Sequence, residues 1–260
     1  MFETLENRRL LTATLSGGIL TIIGTDKPDR IEFARGIGVF TVFETTSGQT
    51  VQTQFNTAEV QKIVIKPGDA GDLVIVGKLT IPCDISAGKG TDTISAGGGN
   101  DTIRGEGGND NLFGSDGRDL INGGLGADTM LGGGGKDTVD YNQRTADLFI
   151  GLGTAADDGE VGEGDNVRTD FEIVIAGSGN DHLSTNSGRA VEFYGRDGND
   201  TLIGGSGADL LDGGAGNDSL NGQGGADILQ SQDNTVDTVI GGSGVDSGTF
   251  DDNDVLSTIP

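Results

Sequence analysis

The chain has 260 residues, with 16 Lys plus Arg against 41 Asp plus Glu, a formal charge of -25 at pH 7. That balance argues against nucleic acid or an anionic membrane surface as a partner. The lone cysteine, Cys83, leaves no intramolecular disulfide, and no apolar run approaches the length of a transmembrane segment.

Residues 1–15 open with Arg8 and Arg9 before Leu10 and Leu11, an apolar run too short for an ordinary signal peptide. Leu5, Glu6, Arg8, Leu10 and Leu11 resemble the short Leu-Glu-x-Arg-x-Leu-Leu leader found at the start of some large bacterial surface proteins. Residues 16–86 read as a β-rich cap, because repeat arrays need terminal units that cover the core. Strand candidates are Ile19 to Ile23, Arg30 to Ala34, Val39 to Phe43, Val51 to Phe55, Val60 to Ile65 and Leu73 to Val76. Phe33, Phe40, Phe43 and Phe55 supply apolar bulk that needs no metal. Two decayed turns lie here, one from Gly24 through Asp29 to Ile31, the other from Gly68 through Asp72 to Val74. Asp29 and Asp72 read as turn formers, with contact to an ion as the alternative. Pro82 suits a strand beginning or an edge.

Residues 87–140 are six nine-residue units laid end to end: AGKGTDTIS, AGGGNDTIR, GEGGNDNLF, GSDGRDLIN, GGLGADTML and GGGGKDTVD. Aspartate recurs at the sixth place, as Asp92, Asp101, Asp110, Asp119, Asp128 and Asp137. An apolar residue recurs at the eighth, as Ile94, Ile103, Leu112, Ile121, Met130 and Val139. One apolar residue in nine cannot make an amphipathic helix, and glycine at this density opposes a helix interior. A strand of about three residues followed by a glycine turn fits, and two units make an eighteen-residue coil with two parallel sheets around a thin core. Asp92, Asp110 and Asp128 then stack along one edge, and Asp101, Asp119 and Asp137 along the other. Carboxylates stacked under about 5 Å apart repel unless a cation lies between them. Oxygen donors without sulfur or imidazole suit a hard ion, and calcium tolerates a mixed shell better than magnesium. So thin a core also makes metal binding part of the folding free energy.

These units resemble the hemolysin-type (RTX) calcium-binding nonapeptide repeat, Gly-Gly-x-Gly-x-Asp-x-apolar-x. The resemblance implies an all-β parallel β-roll, or β-solenoid, with several Ca2+ ions held between consecutive turns. Carried onto this chain, it pairs Asp92 with Asp110, Asp101 with Asp119, Asp110 with Asp128, and Asp119 with Asp137. Ala87, Ala96, Glu106 and Ser115 depart from the glycines of the pattern.

Residues 141–175 break the period and form an acidic spacer. Asp147 to Ile150 and Asp170 to Ile175 are strand-like. Between them lies the loop of Asp157, Asp158, Glu160, Glu163 and Asp165, which either binds a further ion or is a solvated surface loop. Its spacing does not match an EF-hand. The period resumes over residues 176–249, placing Asp181, Asp200, Asp209, Asp218, Asp227, Asp237 and Asp246 as further metal ligands. The RTX pairings here are Asp200 with Asp218, Asp209 with Asp227, and Asp227 with Asp246. Gly248 occupies an apolar place, so the roll is expected to fray there, leaving 250–260 as a tail. Whether the two blocks form one roll or two is open at this level.

His182 stands alone at an outward place, and no nucleophile, base and orienting group come together, so no enzyme is expected and no catalytic residue is assigned. Calcium sites of this open kind bind at about 0.1–1 mM or somewhat tighter, which fits a secreted or cell-surface protein. The chain reads as a calcium-binding β-roll that folds as it binds the ion. The alternative is an adhesin or solenoid that binds a surface glycan or protein through one sheet face, less so a glycan-acting enzyme. A regular outward threonine ladder would favour that alternative. Here the ladder is Thr93, Thr102, Asn111, Leu120, Thr129 and Thr138, which is broken.

Overall fold

A computed structural model describes residues 12–153, 155 and 157–259. Most of the proposed leader, residues 1–11, lies outside them. The fold is an all-β, mostly parallel β-solenoid with further strands outside the repeats. Its spine is a twelve-stranded sheet that runs through both repeat blocks. Thr12–Ser16 pairs antiparallel with Ile19–Ile23, and every later step in that sheet is parallel. Lys62–Lys66, Cys83–Gly90, Thr102–Gly108, Leu120–Asn122 and Thr138–Asp140 carry it to the spacer. Ile173–Ile175, Glu192–Asp197, Leu210–Ala215, Ile228–Gln230 and Ser247–Thr249 carry it onward.

The opposite side is not continuous. An eight-stranded sheet covers the N-terminal half and ends at Asn166–Val167, and a seven-stranded sheet begins at Gly159–Glu160 and Leu148–Leu152. The two repeat blocks therefore share one sheet and divide the other at the spacer.

The period-two pleat sets the core. In Thr93–Ser95 the central Ile94 is wholly buried and its neighbours are half-buried, a pattern repeated at Thr138–Asp140 around Val139. Register keeps like with like: Ile103 pairs with Ile121, and Leu112 with Ile94 and Met130. Some strands are longer than three residues, because the turn backbone itself pairs with the turn of the neighbouring coil. Thr102–Gly108 pairs through its turn with Cys83–Gly90, matching Glu106 to Gly88 and Gly108 to Gly90.

At the N-terminal end, Asp29–Arg35, Val39–Thr46 and Gln49–Asn56 form an antiparallel meander. It packs Phe33, Phe40 and Phe55 with ring centroids 5.7 and 5.8 Å apart. Phe43 falls on the other side of the pleat and is only half-buried. Pro82 directly precedes Cys83–Gly90, consistent with its missing N–H. At the other end the roll does not stop at Asp246. Ser247–Thr249 and Val255–Ser257 add one more coil, paired with Ile228–Gln230 and Thr238–Ile240. Gly248 is tolerated at the apolar place because Phe250 packs partly against the core beside it. The expected tail thus contains roll structure, although its strand residues are exposed.

Candidate metal centre

The turn aspartates form ladders. Asp92 N–H donates to Asp110 Oδ1 at 2.8 Å, and Asp110 N–H to Asp128 Oδ1 at 2.8 Å. On the other edge Asp101 N–H donates to Asp119 Oδ1 at 2.8 Å, and Asp119 N–H to Asp137 Oδ1 at 2.9 Å. The second block repeats this through Asp181, Asp200, Asp218 and Asp237, and through Asp209, Asp227 and Asp246. Each eighteen- or nineteen-residue step therefore spends one carboxylate oxygen on the backbone of the preceding coil.

The other oxygen is left over. Oδ2 is buried and without a hydrogen-bond partner in Asp92, Asp101, Asp110, Asp119, Asp128, Asp137, Asp200, Asp218, Asp227, Asp237 and Asp246. These residues are at most 4% exposed. Leaving a buried acceptor unmade costs about 1–3 kcal/mol, more for a charge. Burial pushes Asp101, Asp119, Asp200 and Asp218 up to about 7, Asp110 to about 6 and Asp128 to about 8, and neighbouring carboxylates add to the rise. Burial also raises Asp92, Asp137, Asp227 and Asp237.

The space beside each free Oδ2 is made by backbone. A Cβ built on Gly114 would collide with Asp119 Oδ2 and the Gly132 carbonyl oxygen. One built on Gly195 would meet Asp200 Oδ2 and the Gly213 carbonyl oxygen. At the second place of most repeats the chain takes positive φ whatever the residue: +97° at Gly124, but also +70° at Glu106 and +85° at Ser115, two of the departures seen in sequence. Among the described residues no three acidic, histidine or cysteine side chains converge as a metal-binding group. The donor set is instead carboxylate oxygen plus turn carbonyls, all hard, and it fits a calcium ion, which accepts six to eight such oxygens.

Asp181 and Asp209 differ. Asp181 accepts Leu148 N–H on Oδ1 and Gly177 N–H on Oδ2, at 2.8 and 3.0 Å. Asp209 accepts Val191 N–H on Oδ1 and Gly205 N–H on Oδ2, at 2.9 and 2.8 Å. Each heads a column whose preceding coil offers Leu148 or Val191 where a carboxylate would stand, and each folds back onto its own turn. Asp101 also heads a column, below Cys83, whose N–H donates to its Oδ1 at 2.7 Å.

Asp158, Glu160, Glu163 and Asp165 of the spacer are partnered by protein, whereas Asp170 keeps one buried oxygen without a partner. Asp158 accepts Gly151 N–H and Val167 N–H, at 2.6 and 2.7 Å. Asp165 continues the first column by accepting Asp128 N–H, and its Oδ2 accepts the Tyr141 hydroxyl at 2.7 Å. The Arg144 guanidinium pairs with Glu160 at 3.0 Å and Glu163 at 2.6 Å, and donates to the Gly124 carbonyl. On the other edge Glu172 accepts Asp137 N–H and pairs with Arg189. The places of Tyr141, Arg144 and Arg189 in the columns were not foreseen, and nothing local in the sequence marks them. Asp165 carries a signal, since Asp165-Asn166-Val167 keeps the Asp-x-apolar offset of the repeat. His182 lies outward and stacks on Phe149 with centroids 4.6 Å apart, and burial lowers its pKa.

A family model described as the RTX calcium-binding nonapeptide repeat (four copies) matches residues 84–112, 104–139, 169–189 and 194–229. A comparison with curated proteins returned no match. The matched segments contain most of the aspartates whose Oδ2 is free.

Proposed function

The chain is an RTX-type calcium-binding nonapeptide-repeat protein with a β-solenoid fold, and from that premise we propose that it is a secreted or cell-surface module that completes its folding by binding several calcium ions. The observation that carries this reading is the row of buried, unpartnered Oδ2 atoms along both edges. Calcium supplies the positive charge that a stack of buried carboxylates lacks. Asp92, Asp101, Asp110, Asp119, Asp128, Asp137, Asp200, Asp218, Asp227, Asp237 and Asp246 would hold the ions with carbonyls of the glycine turns. Asp181 and Asp209 belong to the set as heads of their columns, where ligation requires the carboxylate to leave Gly177 or Gly205 N–H.

The chain's own part is to bring the carboxylates into register through the Asp N–H to Oδ1 ladder and to screen them from water. Without the ion the ladders hold repelling groups and the turns open. Weak sites of this kind fill where calcium is millimolar, which supports an extracellular location. Among the described residues no helix is long and apolar enough to cross a membrane. Family identity is consistent with a structural rather than an enzymatic role. The test is circular dichroism of the purified chain during a calcium titration, with magnesium as control. A cooperative gain of β signal with calcium alone is expected, and a spectrum already β-rich in chelator and blind to calcium would overturn the proposal.

A further inference from the structure

The first aspartate column does not begin at the matched repeats. Pro67 to Ile75 is itself nine residues, with glycine at its second place, Asp72 at its sixth and Val74 at its eighth. It lies upstream of every segment the family model matches. Proline at the first place and Ala70 at the fourth disguise it, yet its backbone is that of a repeat turn. Gly68 has φ +115° and Ala70 φ +108°, beside +106° and +150° at Gly88 and Gly90 in the next coil. A Cβ on Gly88 would strike the Gly68 carbonyl oxygen, and one on Gly90 that of Ala70. Regular turns show the same stacking, as where Gly124 faces Glu106 and Gly126 faces Gly108. Asp72 N–H donates to Asp92 Oδ1 at 2.6 Å, so Asp72 stands in the ladder. Its own Oδ1 accepts Asp29 N–H at 2.7 Å. Its Oδ2 is buried and unpartnered in a residue 3% exposed.

One coil further, the column is closed. Asp29 Oδ2 accepts the N–H and hydroxyl of Thr25 at 2.6 and 3.1 Å, and its Oδ1 accepts the Thr46 hydroxyl. Asp29 thus has no free oxygen, and Pro28 leaves no N–H to extend the turn. We propose that Asp72 is the first ligand of this column and holds a calcium ion with Asp92 and the carbonyls of the turns between Gly68 and Gly90, while Asp29 is the metal-free lid above it. An alanine at φ +108° pays for a left-handed backbone here, which is intelligible if the turn must aim its carbonyl at an ion.

This inference rests on the reading that the columns bind calcium, and the test separates the two. Calcium bound to the full chain is counted by native mass spectrometry for the wild type, Asp72→Asn and Asp29→Asn. Asparagine keeps an acceptor for Asp29 N–H. One ion fewer in Asp72→Asn, with no change in Asp29→Asn, is expected. An unchanged count in Asp72→Asn overturns the site, whereas a wild type that binds no calcium overturns the proposed function instead. If Asp72→Asn does not fold, Ala70→Gly decides. Relieving the backbone of a liganding turn should tighten one calcium step by roughly five- to thirty-fold. An increase in stability in chelator with every calcium step unchanged would make the turn structural only.

Discussion

The repeat turns and the spacer solve one problem in two ways. Both bury carboxylates along the edges of the roll. In the turns around Asp110 and Asp119 the second oxygen is left for an ion, and the core beneath is a single aliphatic residue per strand. In the spacer Tyr141, Arg144 and backbone N–H groups take the place an ion would have, at Asp165, Glu163 and Asp158. The core there is also heavier, with Tyr141 and Phe171 buried. A short regular unit can be copied only if it stays simple, and it then leaves a buried oxygen that the unit itself does not pair. An irregular segment can carry its own cation and its own aromatic packing, but it cannot be stacked.

Three measurements sharpen or break this contrast. The largest effect is expected from pH in chelator. A carboxyl whose pKa is raised by folding binds its proton more tightly in the folded state. It favours folding below its unfolded value near 4, and that contribution is lost as pH rises through the folded value. With Asp110, Asp101 and Asp128 raised to about 6, 7 and 8, the metal-free chain should gain β signal on acidification from pH 8 to 5. The calcium-loaded chain should instead lose ions over that range. A metal-free spectrum that is flat with pH would mean that the columns are not strained by charge.

Next comes Asp119→Asn. At calcium a hundredfold above its dissociation constant, losing one site lowers stability by about 2.7 kcal/mol. In chelator the sign should reverse, because the variant deletes a buried unpartnered charge while its Oδ1 still accepts Asp101 N–H. Denaturation with and without chelator reads both signs, and equal losses in the two conditions would make Asp119 merely structural. Tyr141→Phe is the smallest. It strands Asp165 Oδ2 and should cost about 1–3 kcal/mol, alike with and without calcium. A loss that calcium repairs would mean that the spacer accepts an ion after all.

The periodic part of the molecule was plain in the sequence, since the sixth and eighth places name both the ladder and the core. What escaped was written in another way. Asp165 keeps only the Asp-x-apolar triplet, Asp165-Asn166-Val167, while Asp72 adds to Asp72-Leu73-Val74 a full nine-residue unit that Pro67 and Ala70 disguise. The triplet survives because the pleat demands it, whereas the turn before it can vary in length. Tyr141 lies 24 residues from the carboxylate it caps, and no local pattern announces such a partner. The backbone pairing inside the turns was hidden for a different reason: glycine reports freedom, not the turn-to-turn pairing that Thr102–Gly108 makes.

The uneven continuity of the sheets has a mechanical side. Twelve strands at about 4.8 Å make a spine roughly 50 Å long, unbroken from Thr12 to Thr249. The facing side carries a seam at the spacer, where one sheet ends and another starts. That seam is tied by the Gly153–Arg168 and Asp158–Asp165 bridges and by Tyr141 and Arg144 with their acidic partners, so bending that pulls it open loads these contacts, whereas bending the other way loads the continuous spine.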